Sequence, residues 1–124
     1  MITGIYVNAE NYTAAPITVE SSLESYYKLL DVDFIDIVSR KIGGKYYDII
    51  CDDEALLKAD PICSMMEEKT PMLFGNLFIC LHDGKGAEIS LEQKDITRIL
   101  RQMKPVLVSR KGKLEYRFIL RGEY

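Results

Sequence analysis

Tryptophan is missing from this chain, histidine occurs once, at position 82, and cysteine occurs three times, at 51, 63 and 80. Three widely spaced cysteines are the pattern of free thiols in a reducing compartment, not of a disulfide framework. No run approaches the roughly 20 apolar residues that cross a bilayer. The opening MITGIYVNAENY has neither a basic region nor a continuous apolar stretch of the kind that directs secretion. These absences lead us to expect neither a membrane span nor a signal peptide, and a cytoplasmic location. Internal repeats, low-complexity tracts and linker-like stretches are also lacking, which leaves one domain over residues 1–124.

What is present is ordinary in amount and unusual in distribution. Of the 124 residues, 48% are apolar and 28% charged, enough to bury one core without staples. The net charge of −3 conceals a split: residues 1–97 carry 8 Lys/Arg against 17 Asp/Glu, whereas residues 98–124 carry 8 against 2. An acidic chain therefore ends on a segment of net charge +6. Such asymmetry implies either an internal electrostatic match or a partner that reads one of the signs.

Periodicity assigns the elements. ITGIYVNAE and PITV read as two strands of a hairpin. In ESSLESYYKLL the apolar spacing changes, with Leu23, Tyr26, Tyr27 and Leu30 on one helical face and Ser21 or Ser22 as the cap. Gly43-Gly44 between two β-rich runs predicts a two-residue turn, which places Val38 opposite Ile49, Ile37 opposite Ile50 and Arg40 opposite Tyr47, in reach of a cation–π contact. The stretch EALLKADPICSMMEEKTPML, interrupted by Pro61 and Pro71, is expected to form a short helical turn and a surface loop. LFGNLFICLHD returns to strand. SLEQKDITRILRQM reads as a helix capped by Ser90 and Gln93, with Ile96, Ile99, Leu100 and Met103 buried. After Pro105, VLVSRKGKLEYRFIL is a hairpin. With Arg110-Lys111-Gly112 as a three-residue loop, Val108 faces Leu114 and Val106 faces Tyr116, apolar side inward and basic side outward. The expected fold is α+β: a mainly antiparallel sheet, two main helices packed on one face, and a C-terminal β-hairpin.

The SLESYYKLL helix, the hairpin around IGGKYYDIICDDEALL, the FGNLFICLHDGKG strand with Gly75, and the ISLEQKDITRIL helix together resemble domain-of-unknown-function family 3846, over roughly residues 1–100. The resemblance implies a small protein of phages, plasmids or conjugative elements, and it brings no catalytic residues. Residues 105–124 form a basic hairpin extension outside it, and DPICSMMEEKTPM matches poorly.

Candidate chemistry is sparse. His82 follows Cys80 by two residues, so on a strand both leave one face. With Cys51 or Cys63 they are a possible zinc set or thiol–imidazole pair, but the spacing fits no compact ligand motif or protease signature, and buried thiols beside a surface histidine are expected instead. Asp31, Asp33 and Asp36, and then Asp52, Asp53 and Glu54, lack the calcium-loop pattern and read as a solvated rim. HDGKG lacks the phosphate-loop spacing and reads as a turn. Most of the tyrosines are expected to be half-buried packing residues. The strongest lead is cationic: Arg98, Arg101, Lys104, Arg110, Lys111, Lys113, Arg117 and Arg121, able to neutralise about 4–6 phosphates if they share a face. The opposing reading pairs them with the chain's own carboxylates. The expectation is therefore a non-enzymatic accessory protein without cofactor, metal or catalytic residues. It binds a protein or nucleic acid through the basic hairpin, touches no membrane, and is a monomer or weak homodimer. The alternative is a small metal- or thiol-dependent enzyme using His82, Cys80 and nearby carboxylates.

Overall fold

A computed structural model of the chain describes residues 1–58, 61–68 and 70–123, apart from the side chain of Arg110. Its elements are β1 (Ile2–Asn8), β2 (Thr13–Val19), α1 (Leu23–Leu30), β3 (Ile35–Ile42), β4 (Lys45–Asp52), a 3-10 turn (Ala55–Leu57), β5 (Cys63–Glu67), β6 (Thr70–Phe74), β7 (Leu77–His82), β8 (Glu88–Ile89), α2 (Gln93–Leu100), β9 (Met103–Arg110) and β10 (Lys113–Gly122). The fold is α+β and mainly antiparallel. No helix among the described residues is long and apolar enough to cross a membrane.

One sheet runs in the order β2-β1-β7-β4-β3, with β8 paired to the end of β7; the second runs β6-β5-β10-β9. In the centre of the first sheet, Leu77, Phe78, Ile79 and Cys80 have no exposed surface. Four successive residues alternate between faces on a strand, so both faces are covered. On one face Tyr26 and Leu30 of α1 pack with Ile50, Phe78 and Cys80. On the other, Ile96 and Ile99 of α2 join Ile49, Leu77 and Ile79, together with Met65 and Leu120 from the second sheet. The helices thus lie on opposite faces of the sheet, not on one as expected. An eight-residue helix shields little area, and the doubly apolar β7 needs cover on both sides.

Local chemistry explains the helix starts. Ser22 caps α1, its hydroxyl accepting the Ser25 amide at 3.2 Å. For α2 the expected Ser90/Gln93 cap is displaced: Glu92 is the N-cap and Asp95 completes the capping box. Ser90 instead accepts the Thr3 amide at 2.9 Å, tying the approach to α2 onto β1. The helix ends at Leu100, and Met103 opens β9.

The Gly43-Gly44 turn has positive φ at both glycines, and the β3–β4 register places Ile37, Val38 and Arg40 opposite Ile50, Ile49 and Tyr47 as the sequence predicts. The cation over the Tyr47 ring is Lys45, however, at 5.6 Å from its centroid, while Arg40 turns to Glu67 at 3.6 Å. The segment expected to form a short helical turn and a loop contains a further hairpin, β5–β6, with register shifts near Met65. β5 also pairs in parallel with the end of β10, Leu120 opposite Met65 and Gly122 opposite Glu67. The C-terminal strand is therefore part of the core at its far end: Ile119, Leu120 and Gly122 are buried.

Candidate binding surface

The terminal ribbon is built by its turn. Lys111 and Gly112 both have positive φ, and Arg110 pairs with Lys113, so the connection is two residues long, not three. Such a mirror-image turn matches the right-handed strand twist. The change slips the register by one against expectation: Tyr116 faces Leu107, Arg117 faces Val106, and Glu115 faces Val108. A one-residue slip moves every side chain of one strand to the opposite face. Leu107 accordingly joins Leu114, Tyr116 and Phe118 on one side, and Val106 and Val108 join Lys113, Glu115, Arg117 and Ile119 on the other.

The two sides also face the other way from expectation. Leu107, Leu114, Tyr116 and Phe118 are 52%, 70%, 74% and 55% exposed, whereas Val106, Val108, Glu115 and Arg117 are half-buried. The reason is topological. β10 has both β5 and β9 beside it only at Leu120; Arg121 and Gly122 pair with β5, whereas its Lys113–Phe118 stretch pairs with β9 alone and extends about 20 Å beyond the end of β5.

The eight cations divide into two groups. Arg98 and Arg117 are committed within the protein. Arg117 bonds Glu115 and lies over the Tyr12 ring, 5.2 Å from its centroid. Arg98 donates to the Tyr47 hydroxyl at 2.7 Å and to Asp95 at 3.0 Å. Arg101, Lys104, Lys111, Lys113 and Arg121 are exposed and form no ion pair among the described residues. The Arg110 side chain lies outside the described residues. The set does not share one face: Arg98 and Arg101 line a groove beside Gly43, Lys104 and Arg121 line another at the ribbon base, and Lys111 and Lys113 stand at its tip.

Arg98 belongs to a network that sequence reasoning missed. Asp95 is fully buried, and its carboxylate accepts from Lys45 at 2.9 Å, Tyr47 at 2.8 Å, Arg98 at 3.0 Å and the Glu92 amide at 3.0 Å. Burial by itself would raise this carboxyl, but the donors from Lys45, Glu92 and Tyr47 more than reverse that and hold it at about 2. Burial keeps the Tyr47 phenol protonated by raising its pKa, so it donates to Asp95 while accepting from Arg98. The network clamps α2 to β4 and fixes the helix from which the basic segment departs. Its one sequence signal was the acidic pair Glu92/Asp95 at capping-box spacing.

The remaining candidates do not converge. Cys80 is buried, whereas the His82 side chain is 52% exposed, 3.7 Å from Asp48, with Nδ1 accepting the Gly84 amide. Burial pushes the Cys80 thiol up to about 12 and the Cys51 thiol to about 11, the state of inert packing cysteines. Among the described residues, no three His, Cys, Asp or Glu side chains are placed to hold a metal. HDGKG is a turn closed by Asp83, whose carboxylate accepts the Lys85 amide at 2.7 Å and the Ala87 amide at 3.2 Å. Asn76, next to Gly75, accepts the Ala9 amide at 2.9 Å and donates to the Leu30 carbonyl at 3.2 Å, joining β1 to the end of α1. An open cavity of about 330 Å³ beside it is lined by Asp31, Asp52 and Lys58 among others.

Among known proteins, the chain matches the family model described as "Domain of unknown function (DUF3846)" over residues 2–104. The chain belongs to the DUF3846 family. Neither the curated proteins nor the solved structures include a significant match. The DUF3846 region ends at Lys104, inside β9, so it contains the Asn76 clamp and the Asp95 network but not β10.

Proposed function

We propose that this protein is a non-enzymatic accessory factor that binds another macromolecule through its C-terminal ribbon. One observation carries the reading: the Lys113–Phe118 part of β10 pairs with β9 alone and turns one face to solvent, with four large apolar side chains exposed on it and Lys111 and Lys113 at its tip without an ion pair among the described residues. Isolated exposed apolar residues are common, but a contiguous set on one ribbon face marks an interaction surface. Positive charge at the tip selects a polyanion, nucleic acid or an acidic protein segment, and speeds its encounter. A role in a bacterial mobile element or phage is part of the proposal, supported by the family resemblance. The protein acts in the cytoplasm as a monomer or weak dimer, because the cationic tips repel one another.

The test is titration of the purified chain with mixed DNA, mixed RNA and polyglutamate at low and moderate salt, alongside the Lys111→Glu/Lys113→Glu variant. At least one polyanion binds, more weakly as salt rises, and the variant loses that binding. If none binds at low salt, the proposal is wrong.

A further inference from the structure

We infer that the exposed face of the β9–β10 ribbon is a site for single-stranded DNA, with Tyr116 and Phe118 stacking on its bases. The inference deepens the binding reading above and rests on it. Register sets the face: Leu114 lies opposite Ser109, Tyr116 opposite Leu107, and Phe118 opposite Pro105. Tyr116 and Phe118 are 74% and 55% exposed, the reverse of Tyr26 and Tyr47, whose rings are buried in the core. Two residues apart on one strand, the two rings spring from backbone positions about 6.8 Å apart. That is about twice the 3.4 Å step between stacked bases in a duplex strand. They therefore meet the bases of an extended single strand, whose faces are open, whereas a duplex hides its base faces in the stack.

Charge decides between occupants. A second copy laid face to face with the ribbons parallel would bring together two tips that each carry Lys111 and Lys113, and one laid antiparallel would set each tip near a base that carries Lys104 and Arg121, so like-charge repulsion opposes both. The occupant must present flat apolar groups and negative charge along one polymer. Single-stranded DNA does both, with bases for the rings and phosphates for the lysines. The ribbon is only two strands wide, about 5 Å between strand axes. Cations rooted at the tip and on the reverse face, Lys111, Lys113 and Lys104, thus lie within about one 10 Å screening length of a bound backbone. Ser109 and the Tyr116 hydroxyl are the polar side-chain groups on this face, so little is available to read base edges or a ribose 2′-hydroxyl. Leu107 and Leu114 offer apolar contact to thymine methyl groups. The best ligand is thymine-rich and single-stranded.

The experiment is fluorescence anisotropy with labelled oligothymidylate of about 20 nucleotides, longer than a single site requires, and with a duplex of equal length. The single strand binds more tightly than the duplex, and log affinity falls with log salt with a slope of about −1.5 to −3, from two to four phosphates neutralised. Tyr116→Ala and Phe118→Ala each weaken binding about fivefold or more, while Tyr116→Phe binds like wild type. Tyr116 is 74% exposed, so Tyr116→Ala keeps the wild-type urea midpoint; Phe118 also lines a groove with Leu100 and Met103, so Phe118→Ala is compared with wild type at a urea-checked temperature where both are folded. Equal binding of duplex and single strand, or alanine variants as tight as wild type, overturns the stacking site. If Lys111→Glu/Lys113→Glu still abolishes binding in that case, the ribbon remains a polyanion surface. Binding of an acidic polypeptide with none of oligothymidylate likewise overturns this inference and leaves the broader reading. Binding indifferent to both the rings and the lysines removes both.

Discussion

Replacing Asp95 with Asn perturbs the clamp between α2 and β4 while keeping the side chain's shape. The carboxylate accepts three side-chain donors on Oδ1 and the Glu92 amide on Oδ2. An Asn side chain has one oxygen, so in either orientation its NH₂ group points at a donor. A hydrogen bond to a charged group contributes about 1.5–3 kcal/mol, and leaving buried donors unmatched adds to the loss. Lys45 and Arg98 keep 40% and 32% of their side-chain surface in water and recover part of their hydration. We expect Asp95→Asn to cost about 3 kcal/mol at pH 7, a large part of the 5–15 kcal/mol typical of a domain. The pH dependence distinguishes this mechanism from simple mispacking. The native carboxyl titrates at about 2, against 3.8 for an ordinary aspartate. A depressed acid adds stability that is complete above the unfolded value and is lost as pH falls through the folded one. The wild type therefore loses about 2 kcal/mol between pH 5 and pH 2 that the variant, having no carboxyl there, does not. Urea unfolding of both proteins at intervals over that range measures the gap. A gap that stays constant would refute the charge network as its source.

Three further outcomes follow from the packing. A Cβ on Gly4 would run into the Ile79 carbonyl and the Phe78 ring, so Gly4→Ala destabilises by about 1–3 kcal/mol in urea melts, whereas Lys113→Ala at the ribbon tip leaves the midpoint unchanged within about 0.5 kcal/mol. Burial raises all three thiol pKa values, to about 11 for Cys51 and about 12 for Cys80, so a thiol reagent at pH 8 modifies Cys63, the most accessible, first; equal native rates for the three would contradict the burial. Leu120 has no exposed surface and packs in the main core, so Leu120→Ala costs about 2–5 kcal/mol, and an effect under 1 kcal/mol would show that the β10–β5 pairing is dispensable.

Much of the local structure could be read from short-range signals. The β3–β4 register was legible because two adjacent glycines leave few choices of turn, and the turn sets every pair above it. The Ser22 cap and the α1 stripe were legible for the same reason: partner and pattern lie within one or two helical turns. The β5–β6 hairpin was hidden because Pro71 within it and Pro61 just before it read as strand breakers, and the parallel pairing with β10 that stabilises it comes from more than 50 residues away. The Asp95 network was hidden because Lys45 and Tyr47 lie 50 and 48 residues from it.

The sequence by itself determined the element types over most of the chain, the central hairpin's register, the α+β class and the concentration of positive charge at the C-terminus, since each depends on neighbours in the chain. Tertiary structure alone decided that the helices cover opposite faces and that Arg98 and Arg117 are spent on internal contacts. It also decided that the apolar side of the last ribbon faces outward. Alternation tells which side chains share a face, but only the position of a strand relative to the rest of the fold tells which face meets the core. Here β10 has β5 beside it for its last three residues and only β9 beside it before them.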